Sequence, residues 1–219
     1  CLCSFSTLAI FLKFLASNLP NFSIEKKLLA KNFKKIAGVD EVGRGTLAGP
    51  VIACAAILPS AVPTIKKEFV NDSKKLSAKK RMESFEWLRN WCIDYAIGSS
   101  SAEEIDVYGI VYSVKQAMIR AVNNLSIKPD HLIIDALKLE KLNIAQTSIP
   151  KADEKSESVA SASILAKVSR DNLMIKLHEE YSDYDFISNK GYGTKNHLLA
   201  LKKIGPCKIH RKTFAKVND

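Results

Sequence analysis

Short strand-like segments recur along this chain and alternate with longer stretches of helical periodicity, and that alternation restricts its fold more than any other feature. The strand-like segments are residues 36–39, residues 51–58 (rich in Val, Ile and Ala and stopped by Pro59), residues 95–99, residues 131–134 after Pro129, and residues 146–149. Between them, residues 24–35 place Ile24, Leu28 and Phe33 at near-helical spacing, and Ser77 can cap a helix through residue 91. Ser101 and Glu104 have capping-box spacing and begin a helical stretch that Gly109 interrupts before residues 110–125. Residues 158–181 form a long helical pattern whose first two turns are rich in Ala and Ser, and residues 197–204 form the last. No internal repeat or long linker divides the chain. Strands alternating with helices predict an α/β fold.

At 219 residues the chain has room for one large domain, or one domain with an appendage. A chain of this size buries roughly 70% of its unfolded surface, so disulfide or metal staples are not needed. A hydrophobic content of 47% excludes wholesale disorder. The 33 Lys and Arg against 23 Asp and Glu give a net charge of +10, which suits a polyanionic partner, although many basic proteins have none. Five cysteines without a CxxC pair form neither a zinc-ribbon spacing nor a disulfide framework, so reduced thiols in a cytoplasmic setting are expected. The apolar stretch 2–19 contains Lys13 and has no basic residue before it, so it fits neither a secretory signal nor a membrane span well, and a degenerate anchor is the minor alternative. Residues 1–23 are therefore read as an N-terminal appendage to a domain at 24–219, with no membrane partner expected.

Chemistry-bearing residues collect at the segment ends. Asp40 and Glu41 close the first apolar run, Asp135 closes another, and Asp153 follows residues 146–149. Any one of these acids alone is more often a cap or turn former. Gathered by a sheet, they would repel one another until a cation neutralised them, and hard oxygen donors suit Mg²⁺ or Mn²⁺ better than zinc. Neighbours such as Asp40 and Glu41 face opposite sides of a regular strand, so both reach one site only where the strand ends or distorts. Gly43-Arg44-Gly45 is either a simple turn or a place where exposed N–H groups meet a sugar or phosphate. Lys74 and Lys75, with Lys79, Lys80 and Arg81 beyond them, either track a phosphate backbone or form a solvated face. Tyr192, between two glycines, either stacks on a nucleotide or packs locally. The four histidines have no metal-ligand spacing.

Six strings in order decide between these alternatives. AGVDEVGRGTLAGPV (37–51), NDSKKLSAKKR (71–81), LIIDALKL (132–139), KADEKSESVASASILAKVSRD (151–171), NKGYGTKNH (189–197) and GPCKIHRKTF (205–214) together resemble bacterial ribonuclease HII. The resemblance implies a ribonuclease H-like mixed sheet flanked by helices, with a helical C-terminal part. It implies an endonuclease that cuts the RNA strand of RNA–DNA hybrids and cuts at single ribonucleotides in duplex DNA, leaving 3′-hydroxyl and 5′-phosphate ends. By motif it makes Asp40, Glu41, Asp135 and Asp153 the catalytic ligands of Mg²⁺ or Mn²⁺. Gly43, Arg44 and Gly45 become the segment that senses the 2′-hydroxyl, Tyr192 the residue that packs on the sugar, and Lys74 a backbone contact. The expected partners are RNA–DNA hybrid and ribonucleotide-containing DNA, and a monomer is expected.

Four positions depart from the family pattern, Val159 among them beside Glu157 in SESVASAS. Thr46 replaces the usual Pro and is expected to loosen the turn, Ala152 replaces a frequent Gly and restricts the backbone near Asp153, and Glu157 is expected as a solvated helix-start acid. Two rival readings are a ribonuclease HIII-like enzyme and a non-catalytic nucleic-acid-binding module. The short stretch before the first strand, and SKKLS together with GRG, favour HII over HIII.

Overall fold

The computed structural model describes residues 19–218 apart from residues 72 and 75. Most of the expected appendage, including the apolar stretch, therefore lies outside the described residues. The part that is described is tied to the domain: Asn21 bridges to Ser156, and the first helix among the described residues, α1 (Ser23–Leu29), begins two residues later. Helical spacing extended this helix to residue 35, but it stops short, and Asn32 takes the left-handed conformation with φ 69°.

Five strands form one sheet: β1 (Ile36–Val42), β2 (Val51–Ile57), β3 (Asp94–Ser100), β4 (His131–Asp135) and β5 (Ala145–Ile149). Their order is β3-β2-β1-β4-β5, with β1–β2 and β2–β3 antiparallel and β1–β4 and β4–β5 parallel. The hairpin arm thus meets the parallel arm at β1, whose first five residues are all buried. Helices α2 (Ala78–Trp91), α3 (Ala102–Tyr108), α4 (Ile110–Asn123) and α5 (Glu157–Glu180) flank the sheet, and α6 (Phe186–Asn189) and α7 (Lys195–Ile204) follow. Among the described residues no helix is long and apolar enough to cross a membrane.

Strand alternation assigns each face its helices. Ala37, Val39, Ala53, Ala55, Leu132 and Ile134 pack with Val114, Ala117, Met118 and Ala121 of α4. Ile52, Cys54 and Ala56 face Leu88 of α2 and the run Ala160–Ala166 of α5. Small residues let these layers come close. A Cβ on Gly38 would stand 2.2 Å from the Ser158 backbone carbon, and one on Gly98 2.1 Å from the Ala117 carbonyl oxygen. The Ala/Ser-rich start of α5 is therefore the surface on which β1 rests.

Capping follows the local sequence. Ser101 Oγ accepts from the Glu104 N–H at 3.1 Å, and Glu104 Oε2 accepts from the Ser101 N–H at 2.9 Å, which closes the expected box. Arg120 joins Glu104 at 2.5 Å and draws its carboxyl down to a pKa of about 2. The expectation for Glu157 was wrong. It is fully buried, forms an ion pair with Lys67, and accepts from the Val62 N–H at 2.6 Å. Sequence position alone indicates a helix start, but not that the segment 62–67 folds over it.

Candidate active site

The site lies where β4 ends. Pairing of Val39 with Ile134 brings Asp40 level with Asp135, and β4 stops there while β1 continues to Val42 beside β2. No distortion of β1 is needed, because Glu41 has already passed the last residue of its β4 neighbour. Asp40 has the parity of Gly38 and shares the α5 face, where Ser163 hydrogen-bonds its carboxylate. Asp135 Oδ1 accepts from the Ala152 N–H at 3.2 Å. Asp153 sits in the short 3₁₀ turn Ala152–Glu154. The left-handed residue in this turn is Lys151 (φ 57°), so the Ala152 substitution does not fall on the special backbone position. The Ala152 side chain is fully buried, packed with Ile133 and Val159.

Electrostatics connect the four acids. Burial, repulsion from Glu41 and then from Asp153 hold the Asp40 carboxyl well above the usual carboxylate range. Burial and repulsion from Asp135 raise Glu41, opposed by the charges of Arg44 and Lys74. Each carboxylate thus feels another, and Lys74 is close enough to Glu41 to act on it. Among the described residues no group of three or more His, Cys, Asp or Glu side chains stands as a ready metal cage. The donor chemistry nonetheless fits a hard divalent ion, since desolvated carboxylates that repel one another are stabilised by a cation with oxygen-ligand preference.

Beside the acids, residues 43–50 form a loop held from below by two arginines that, among the described residues, have no acid partner in hydrogen-bond contact. Arg211 donates to the carbonyls of Gly43 (2.6 Å), Arg44 (2.9 Å) and Gly49 (2.9 Å). Arg170 donates to the carbonyls of Ala48 (3.0 Å), Pro50 (3.0 Å) and Lys190 (2.8 Å) and to Thr46 Oγ1 (2.9 Å). Both side chains are completely buried, and burial together with the nearby Arg170 charge lowers the Arg211 pKa to about 9, which still leaves it cationic at neutral pH. Gly43 has φ 88°, and a Cβ there would stand 2.2 Å from Arg170 Nε, so only glycine fits. Gly45 has open space around its Cα, and Arg44 is exposed. Thr46 does not loosen this turn: its hydroxyl donates to the Gly43 carbonyl at 3.1 Å while accepting from Arg170.

The same loop is joined to the segment carrying Tyr192. The Leu47 N–H donates to the Gly191 carbonyl at 2.8 Å, and a Cβ on Gly191 would stand 2.4 Å from the Ala48 carbonyl oxygen. Tyr192 is 41% exposed, with Lys167 Nζ 5.7 Å from its ring centre. Lys75 lies outside the described residues. Arg81 does not face outward for phosphate; it donates to the carbonyls of Ser73 and Leu76, both at 2.7 Å, and so braces the segment that carries Lys74. Ser73 Oγ in turn meets Ser163 Oγ at 3.0 Å, beside Asp40. Sequence reasoning passed over Arg170 and Arg211, because an arginine in a basic chain looks like surface charge. The strings KVSRD and HRKTF contain them, but nothing in their spacing marks burial.

The ribonuclease HII family model matches residues 37–217. The chain belongs to the ribonuclease HII family. It is 48% identical over 195 residues to ribonuclease HII of Desulfitobacterium hafniense, covering 89% of this chain and 74% of that one. The crystal structure of ribonuclease H2 from Pyrococcus horikoshii superposes with a TM-score of 0.68 at 27% identity, covering 84% of this chain and 95% of that one. Bst ribonuclease HIII in complex with Mn²⁺ has the same fold, with a TM-score of 0.62 at 18% identity and coverage of 84% and 68%. The ribonuclease H-like mixed sheet expected from the motifs is thus the fold of these neighbours, and the HII branch is preferred over HIII.

Proposed function

We propose that this member of the ribonuclease HII family hydrolyses the RNA strand of RNA–DNA hybrids and incises duplex DNA at single ribonucleotides, with the acids at the end of β1 and β4 as its catalytic centre. It is a hydrolase that leaves 3′-hydroxyl and 5′-phosphate ends. Residues 24–219 form its catalytic domain. The observation that carries the site assignment is the strand register that sets Asp40 level with Asp135 where β4 ends, with Asp135 bound to the turn that carries Asp153, beside a glycine loop held from beneath.

Asp40, Glu41, Asp135 and Asp153 would hold Mg²⁺ or Mn²⁺, and the bound ion supplies Lewis-acid stabilisation of the phosphodiester displacement. Arg44 and Lys74 draw in the phosphate backbone without reading bases. The rigid loop at 43–45 approaches the 2′-hydroxyl, the atom by which RNA differs from DNA, and the Tyr192 ring packs on the sugar. Such an activity removes ribonucleotides from DNA, as ribonucleotide excision repair requires.

The test is a duplex with one embedded ribonucleotide, incubated with and without Mg²⁺ or Mn²⁺ and mapped to the nucleotide. Metal-dependent incision at the ribonucleotide is expected, and none with either metal from folded protein refutes the reading. Asp135→Asn should lower kcat at least about a hundredfold while duplex affinity changes little. Unchanged turnover would remove Asp135 from the centre, and metal-dependent binding without any cleavage would favour a binding module.

A further inference from the structure

Two buried histidines that the chemistry above does not use lie behind Tyr192. His197 on α7 and His210 in the following tail have exposures of 0% and 1%, and their Nε2 atoms are 2.9 Å apart. Two neutral imidazoles can share such a contact only if one nitrogen donates and the other accepts. The surroundings decide which. The Cys207 N–H points at His210 Nδ1 at 2.9 Å, so that nitrogen is an acceptor and His210 carries its proton on Nε2. His197 Nε2 must then accept, which leaves the His197 proton on Nδ1. Nδ1 lies 2.9 Å from the carbonyl oxygen of Tyr192. The chain of donation therefore runs from Cys207 through His210 and His197 to the backbone of Tyr192, and every tautomer in it is set.

The surroundings keep the pair neutral and fixed. The Tyr184 ring lies 4.7 Å from that of His210, and Phe186 meets His197 edge-on at 5.4 Å. Burial lowers both pKa values, and repulsion from His197 adds to the effect at His210, taking it to about 4. The carbonyl that His197 holds also accepts from the Thr194 N–H at 2.8 Å, and the Tyr192 N–H is bound to the Asn189 carbonyl at 2.9 Å. The backbone of Tyr192 is thus fastened on both sides while its ring remains exposed. Fixing a recognition ring before substrate arrives lowers the ordering cost of binding.

We propose that His197 and His210 are positioning residues that act through the Tyr192 carbonyl to hold the tyrosine ring where the ribose at the cleavage junction is received. This rests on the reading of Tyr192 as the sugar-packing residue. His197→Phe keeps a ring against Phe186 but removes the donor, whereas His197→Asn keeps a donor in the Nδ1 position. With the single-ribonucleotide duplex, His197→Phe should raise KM about five- to tenfold and change kcat less than about twofold, and His197→Asn should recover most of the loss. In a Tyr192→Ala background, His197→Phe should cost less than about twofold more.

Additive losses in the two backgrounds, or no recovery by His197→Asn, overturn the proposal and leave Tyr192 in its role. A Tyr192→Ala enzyme with unaltered kinetics overturns the reading of Tyr192 itself. A second measurement needs no variant. Nitrogen-15 NMR of the native protein near pH 7.5 should show His210 protonated at Nε2 only and His197 at Nδ1 only. The reverse pair of tautomers overturns the proposal even if the variants fail to fold.

Discussion

At the residue scale, the acids are costly to the fold. Asp40 is 6% exposed, and its charged form is disfavoured first by burial and then by Glu41. The sign follows from the raised pKa: the folded chain prefers the protonated form, so ionisation costs stability as pH rises past the ordinary carboxylate range. Asp40→Asn should therefore raise the metal-free melting temperature at pH 8, by about 2–4 °C for each kcal/mol relieved, while abolishing cleavage. Calorimetry beside the incision assay checks both, and a lower melting temperature contradicts the account. Thr46 makes the opposite contribution. Thr46→Val removes the hydroxyl between the Gly43 carbonyl and Arg170 and should cost about 1–2 kcal/mol in urea unfolding, with weaker cleavage at the ribonucleotide. The four acids, Gly43 and Tyr192 could be named from motifs, because their strings have a distinctive order. Glu157, Arg170 and Arg211 could not be assigned their surroundings, because whether a charged side chain is buried depends on segments remote in the chain.

At the element scale, strands and caps were legible wherever chemistry is local. The Ser101–Glu104 box, the Ser77 cap and the strand ending at Asp135 all need only near neighbours. The early end of α1 and the short helix α6 depend on left-handed residues, Asn32 beyond the first and Asp185 and Lys190 flanking the second. No side-chain pattern announces these. Contact between β1 and α5 is the most demanding joint, since a Cβ on Gly38 would overlap backbone at both Ser158 and Val159. Gly38→Ala should destabilise by about 1–3 kcal/mol or more, read as a lower urea midpoint with unchanged slope. Because α5 also carries Ser163 and Arg170, the same change should slow cleavage. An unaltered midpoint would mean that the helix can retreat freely.

For the whole molecule, the C-terminal layer links stability to acidity. His210 is lowered from 6.5 to about 4, and His197 is lowered too, so the unfolded chain takes up protons that the folded chain refuses. Their contribution is complete above pH 6.5 and declines as pH falls toward 4. The difference in melting temperature between the parent and His210→Gln should follow that course, the parent losing more as pH falls from 6.5 toward 4; parallel curves would remove the histidines from it. This layer was the least legible part of the fold, because Tyr184, Phe186, Leu201 and Val217 gather around Leu47 and Ala48 from far along the chain.

That long reach has a bearing on birth at the ribosome. The Gly43 carbonyl and the guanidinium beneath it are separated by 168 positions. At about 5–20 residues per second, roughly 8–34 s of translation pass between them. Because Asp153 also precedes Arg211, all four acids of the proposed centre are synthesised before the guanidinium that braces the loop beside them, and that loop gains its lower support after the carboxylates are made.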